Sequence, residues 1–169
     1  DSVEYIGRGA FYNCGKIFSI MLPKNLKVIG DYAFYGCMSA NFGAAKYDLI
    51  IPEGTESIGR SAFYQCECIL SVSIPGSVKT IGDYAFYGCT SLTSIVIPDS
   101  VTSICDHAFY DCRNLTSIVI PNSVTCIESG AFGGCTSLTS IVIPDSVTSI
   151  GDSAFSNCSN LTSITIPDS

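Results

Sequence analysis

Apolar residues recur along this chain in two short extended patterns separated by a turn-like stretch. In residues 92–97 the apolar positions are Leu92, Ile95 and Ile97, and the last two, being two apart, share one face of a strand. Pro98 then removes a backbone donor and favours extended geometry in the residue before it, so the strand ends there. Val101 and Ile104 open a second, shorter extended segment. The third part is illustrated by residues 83–89, Asp-Tyr-Ala-Phe-Tyr-Gly-Cys, where Phe86 and Cys89 are three apart. The stretch is read as a single helical turn, too short to hold alone and kept in place by Phe86 and Cys89 packing inward. Asp31, Asp83, Asp106 and Asp152 stand two residues before the alanine and are expected to accept from that turn's free amides.

The whole pattern repeats. Proline returns at Pro23, Pro52, Pro75, Pro98, Pro121, Pro144 and Pro167, and Ala-Phe ends at Phe11, Phe34, Phe63, Phe86, Phe109, Phe132 and Phe155. Every interval is 23 residues except one of 29. A fixed period of this size marks a solenoid, in which each unit buries its apolar face against its neighbours. Residues 1–169 are therefore read as one continuous array. Both termini fall at the same phase of the repeat, so the array is expected to be part of a longer one. The longer interval is a six-residue insertion within 38–51, which puts Lys46 in the register of the strand's usual leucine and requires a bulge. Glycine follows the second-segment isoleucine in five repeats, but Cys105 and Glu128 fill that slot in two, so close packing rather than a positive φ is the expected reason for it.

The combination L-x-x-I-x-I-P, V-x-x-I-G and A-F-x-x-C, carried by all seven units, resembles the BspA-like (Treponema pallidum type) leucine-rich repeats. The resemblance covers the full chain. It implies a leucine-rich-repeat solenoid: a right-handed stack whose first segment forms a parallel concave β-sheet, with short extended segments and single-turn helices on the other side. It also implies a surface protein of a bacterium or parasitic protist, located at the cell surface or outside the cell. The roles it implies are adhesion and binding of host proteins, such as matrix components or fibrinogen.

Charge narrows the partners. The net charge is −7, and residues 81–169 hold eight acids against Arg113 alone, whereas residues 1–80 hold seven of each sign. A nucleic-acid partner needs a basic face to release counterions, so none is expected. No apolar run approaches the roughly 20 residues that span a bilayer, and membrane insertion of this segment is not expected either. Ten cysteines suggest disulfides until their phase is considered. Seven of them, at 14, 37, 66, 89, 112, 135 and 158, occupy one column three residues after the phenylalanine. A column of small inward side chains predicts a ladder of buried free thiols. Cys68, outside that column, is expected to be a surface thiol.

Catalytic, metal and cofactor signals are weak. His107 is the sole histidine, in a variable column that reads as exposed. Cys105, Asp106, His107 and Cys126 lack the spacing of a zinc site. Asp99, Asp145 and Asp168 share a column with Asn122, but one column brings too few oxygens to a point for calcium. No enzyme activity, metal or cofactor is expected. Asn114, Asn157 and Asn160 sit in N-glycosylation acceptor sequences, which repeat drift also explains.

Binding surfaces remain. The outward positions of the concave strand are nearly uniform Ser, Thr and Val in the last four units, whereas the first three carry Phe18, Met21, Tyr47, Asp48, Ile50 and Leu70. Together with Phe42 of the insertion, these are the expected anchors for a macromolecular partner, a host or cell-surface protein. A ridge of Tyr12, Tyr35, Tyr64, Tyr87 and Tyr110 is a second candidate surface, for a protein, a glycan or self-association. The competing reading is a structural spacer with no ligand of its own.

Overall fold

The structure is a computed structural model that describes residues 2–17, 19–37 and 45–167. The chain winds into a parallel-stranded solenoid of about seven rungs, and every strand pairs with its equivalent one repeat away. The concave sheet is built from β3 (Tyr47–Ile50), β5 (Ile69–Ser73), β7 (Ser94–Val96), β10 (Ser140–Val142) and β12 (Ser163–Thr165). In order β3, β5 and β7 pair in parallel, Val96 bridges to Val119, and β10 pairs with β12. The second extended segments give two-residue strands: β1 (Tyr5–Ile6), β2 (Val28–Ile29), β4 (Ser57–Ile58), β6 (Thr80–Ile81), β8 (Ser103–Ile104), β9 (Cys126–Ile127) and β11 (Ser149–Ile150). They pair in two parallel blocks, β1-β2-β4-β6 and β8-β9-β11.

Period-two alternation decides which side chains form the core. In β7 Ser94 and Val96 are exposed while Ile95 between them is buried, and β10 repeats the pattern around Ile141. The second segments contribute Ile29, Ile58, Ile81, Ile104 and Ile127, all buried. From the turn-like stretches comes a continuous stack of seven phenylalanine rings, from Phe11 to Phe155, with centroids 5.1–5.7 Å apart and planes within 10° of parallel.

The turn-like stretch is not helical, which corrects the expectation of single-turn helices. No helix occurs among the described residues. Two residues per rung take the left-handed conformation, as at Tyr84 (φ 57) and Gly88 (φ 67), and a left-handed residue every fourth position interrupts any helix. The resulting backbone alternates its bonding. Ala85, Tyr87 and Cys89 donate to Gly82, Tyr84 and Phe86 of their own rung, while Tyr84, Phe86 and Gly88 donate to Asp106, Ala108 and Tyr110 of the next. The six successive amides from Tyr84 to Cys89 are thereby satisfied without a helix.

Two of the expected capping aspartates, Asp31 and Asp106, reach the next rung and not their own turn. Asp31 Oδ1 accepts from the Arg60 amide at 2.9 Å and Asp106 Oδ1 from the Ser129 amide at 3.1 Å, so they join neighbouring rungs. The glycine column behaves as close packing predicts. A Cβ on Gly82, which lacks a positive φ, would lie 2.7 Å from the Arg60 nitrogen in the rung beside it.

Candidate binding surface

The concave side exposes a polar column, with Asp48, Ser94, Ser117, Ser140 and Ser163, and beside it an apolar one. Met21, Ile50, Val96, Val119 and Val142 are 94, 69, 70, 74 and 66% exposed, with Ser73 interrupting the row. Ile50, Val96, Val119 and Val142 each lie between two buried neighbours and point to the opposite face, as the pleat requires, while Met21 lies outside the strands between half-buried Ile20 and Leu22. Beside Ile50, Asp48 is exposed and accepts a hydrogen bond from the Ser71 hydroxyl at 2.6 Å across the β3–β5 pair.

Two expected anchors occupy other positions. Tyr47 is half-buried against the core, because a bulge between Tyr47 and Asp48 sets it opposite Ile69. The unpaired residue of the bulge is Leu70 on β5, and Tyr47 rather than Lys46 stands opposite Ile69, the inward apolar residue of the next rung. Burial, followed by the proximity of Cys66 and Cys89, pushes its phenol well above the usual range. Leu70 is half-buried on the partner side of the same bulge. Phe18 and Phe42 lie outside the described residues.

The tyrosine ridge is a ring stack. Tyr12, Tyr35, Tyr64, Tyr87 and Tyr110 follow one another with centroids 4.4–5.2 Å apart and interplanar angles of 4–11°. Their faces cover one another, so edges and hydroxyls are what solvent meets along the ridge, while Tyr12, at the end, is half exposed. Burial, then the neighbouring Tyr35 and Tyr87, pushes the Tyr64 phenol up to about 12. The stack ends on backbone: a Cβ at Gly133 would lie 2.6 Å from the Tyr110 ring.

His107 belongs to this aromatic layer and is not an exposed variable residue. Its ring stacks on Tyr84 at 4.9 Å and tilts against Tyr110 at 5.2 Å, and Arg60 covers Tyr84 at 5.6 Å. Buried Nδ1 makes no hydrogen bond. No three His, Cys, Asp or Glu side chains among the described residues converge to hold a metal ion.

All ten cysteines are free thiols. Six of the seven in the ladder are buried, and each donates to the phenylalanine carbonyl of the preceding rung. Cys37, Cys66, Cys89, Cys112, Cys135 and Cys158 bond Phe11, Phe34, Phe63, Phe86, Phe109 and Phe132 at 2.9–3.3 Å. This explains the residue type: a small apolar side chain fills the column and its weak donor satisfies a buried carbonyl. Cys14, which reaches only its own rung, is exposed. Cys68 is buried, not at the surface, because it lies just before β5 and points inward with Ile69. At the acceptor sequences, Asn114 and Asn160 are exposed, but their Nδ2 atoms donate to Thr90 and Thr136 of the preceding rung at 2.7 and 2.8 Å.

A parallel solenoid with one strand, one proline turn and one buried Phe/Cys pair per 23-residue rung is a leucine-rich-repeat protein. The family model of the BspA type leucine rich repeat region matches in six copies over residues 1–67 and 56–169, and the chain belongs to that family. Its fold is similar to that of a leucine-rich repeat protein from Bacteroides ovatus, with a TM-score of 0.87 and 38% identity over 99% of this chain. The chain spans 42% of that protein's length. It is also similar to the leucine rich repeat protein of Treponema pallidum, with a TM-score of 0.84 and 33% identity, covering 98% of this chain and 72% of the other. A leucine rich cell surface protein from Faecalibacterium prausnitzii aligns at 31% identity and a TM-score of 0.59, over 97% of this chain and 48% of that one. A comparison with curated proteins finds no match. No helix among the described residues is long and apolar enough to cross a membrane.

Proposed function

We infer that this chain is a non-enzymatic binding segment of a cell-surface protein, which engages a surface protein of a host or neighbouring cell through its concave face. The observation that supports this most is the column of exposed apolar side chains from Met21 to Val142. Isolated exposed apolar residues are ordinary, but a row that recurs at rung spacing on one face, broken only at Ser73, presents a surface of the kind that interfaces bury. Met21, Asp48 and Ile50 form its most varied part, and Phe18, Phe42 and Leu70 flank it in sequence. The tyrosine ridge is a secondary surface, where ring edges and hydroxyls are left to a partner. The family membership and the surface relative from Faecalibacterium prausnitzii agree with the same reading.

A pull-down from intact host or neighbouring cells tests it. The wild-type chain should retain a partner that a Met21→Ser/Ile50→Ser variant loses and that a Lys79→Ala variant, altered at an exposed residue before β6, keeps. Because apolar anchors carry most of an interface's energy, the expected loss is at least about tenfold in affinity. A chain that retains nothing, or whose partner ignores both variants, is a spacer in this region.

A further inference from the structure

The exposed apolar column has an acidic companion. Three residues after the exposed strand position, in the proline turn, stand Glu53, Asp99 and Asp145, all exposed and following Ile50, Val96 and Val142. The other rungs offer Met21 with Lys24, Ser73 with Gly76, Val119 with Asn122 and Thr165 with Asp168, so none of them pairs an apolar outward residue with an acid. Apolar residue and carboxylate therefore recur together on every second rung. They line common grooves: Val119, Val142 and Asp145 bound one, and Ile50 and Glu53 share another with Met21, Asp48 and Lys24, so that the basic residue lies at one end of the column. The register is continuous, with Ile50 opposite Ser73, Ser73 opposite Val96, and Val96 bridged to Val119. Arg113, the sole cation after residue 80, lies at the other edge of the strand and pairs with Asp111 at 3.2 Å.

We propose that the concave face takes an extended, polyproline-type polypeptide segment bearing lysine or arginine at every third residue. This rests on the concave-face reading above and names its partner's chemistry. Two arguments carry it. A valine beside a carboxylate suits a long basic side chain, whose aliphatic stem lies on the apolar surface while its charged end reaches the acid. The second argument is spacing. Two rungs at the usual interstrand distance span about 9.6 Å. One turn of a polyproline II helix, three residues at about 3.1 Å, advances about 9.3 Å and returns side chains to the same side. A β-strand returns them every 6.7 Å or so and misses alternate sites. An α-helix matches only near i+7, at about 10.5 Å, and drifts out of step by the third site. The polyproline conformation is also preformed, so little ordering entropy is lost on docking.

The test uses the 169-residue chain and a fluorescent Lys-Pro-Pro oligomer, with binding read by anisotropy. Saturable binding is expected to weaken as salt is raised. It should fall about tenfold in a Glu53→Gln/Asp99→Asn/Asp145→Asn variant, three exposed pairs each being worth a small factor. A Val96→Ser/Val142→Ser variant should weaken it comparably by removing the apolar seats. A peptide of identical composition with its lysines in one block should bind at least about tenfold more weakly. Unchanged circular dichroism in the variants ensures that the fold is intact. Equal binding of the blocked peptide, indifference to the acidic substitutions, or no saturable binding overturns the proposal. If the peptide fails while the Met21→Ser/Ile50→Ser variant still loses its cell-surface partner, the spacing inference alone falls; if that partner is absent too, the concave-face reading falls with it.

Discussion

Phe86→Ala is expected to destabilise the array by about 3–5 kcal/mol, the range for truncating a fully buried aromatic ring. Phe86 has no exposed surface and lies between Phe63 at 5.3 Å and Phe109 at 5.7 Å, so the change opens a gap with ring faces on both sides. The matching substitution at Phe155 should cost roughly half as much, since that ring is half-buried and stacks on Phe132 from one side. Denaturant titrations of both variants provide the measurement. Equal losses would show that the phenylalanine stack is not what couples the rungs. A solenoid is held by nearest-neighbour interfaces, so the damage at Phe86 should also appear as faster amide exchange in the rungs beside it.

A second large effect is expected in alkali. Burial pushes the thiols of Cys66, Cys89, Cys112 and Cys135 well above the ordinary value of 9.0, and that of Cys37 up to about 11. In the unfolded chain the same thiols ionise near pH 9, whereas the folded chain holds their protons. The stabilisation is therefore complete below pH 9 and declines as pH rises above it. By about pH 10 each deeply buried thiol favours unfolding by about 1.4 kcal/mol, and four together by about 5–6 kcal/mol. That is comparable to the whole stability of an ordinary domain. Far-ultraviolet circular dichroism followed from pH 8 upward at fixed temperature should show cooperative unfolding between about pH 9 and 11. Under reducing conditions it should reverse. A Cys66→Ala/Cys112→Ala variant should lose stability less steeply over the same interval, and a flat profile in the parent protein would refute the thiol ladder. Tyr64 and Tyr87, whose phenols burial also raises, add to the slope at the alkaline end.

Positions that repeat were the legible ones. Seven identical phenylalanines and cysteines define a column whatever its detailed geometry, and period-two alternation around Ile95 placed the concave strand. Helical turns were expected where Phe86 and Cys89 pack inward, but inward packing at that spacing also fits alternating right- and left-handed residues. A better signal was the residue before each cysteine: Asn13, Gly36, Gly88, Asp111, Gly134 and Asn157 are types that tolerate a positive φ, with Gln65 the exception. The misplacement of Tyr47 has a different cause. A β-bulge shifts a register by one residue, and one residue exchanges inside for outside. His107 was misread because its stacking depends on Tyr84 in the adjacent rung, a neighbour 23 residues away that a column viewed in isolation does not supply.

The alternating amides of the turn also set how the molecule responds to being pulled. Half of them close bonds within a rung and half cross to the next, so separating two rungs breaks the crossing half, and the few bonds left within the freed rung are too few to hold it. Tension applied along the stack should therefore peel units away one at a time instead of melting the chain at once. Each step releases 23 residues, which extend to about 80 Å and replace a rung about 5 Å thick. A single-molecule force trace should rise and fall in increments of about 75 Å, so that the molecule acts as a series of mechanical fuses between whatever holds its two ends.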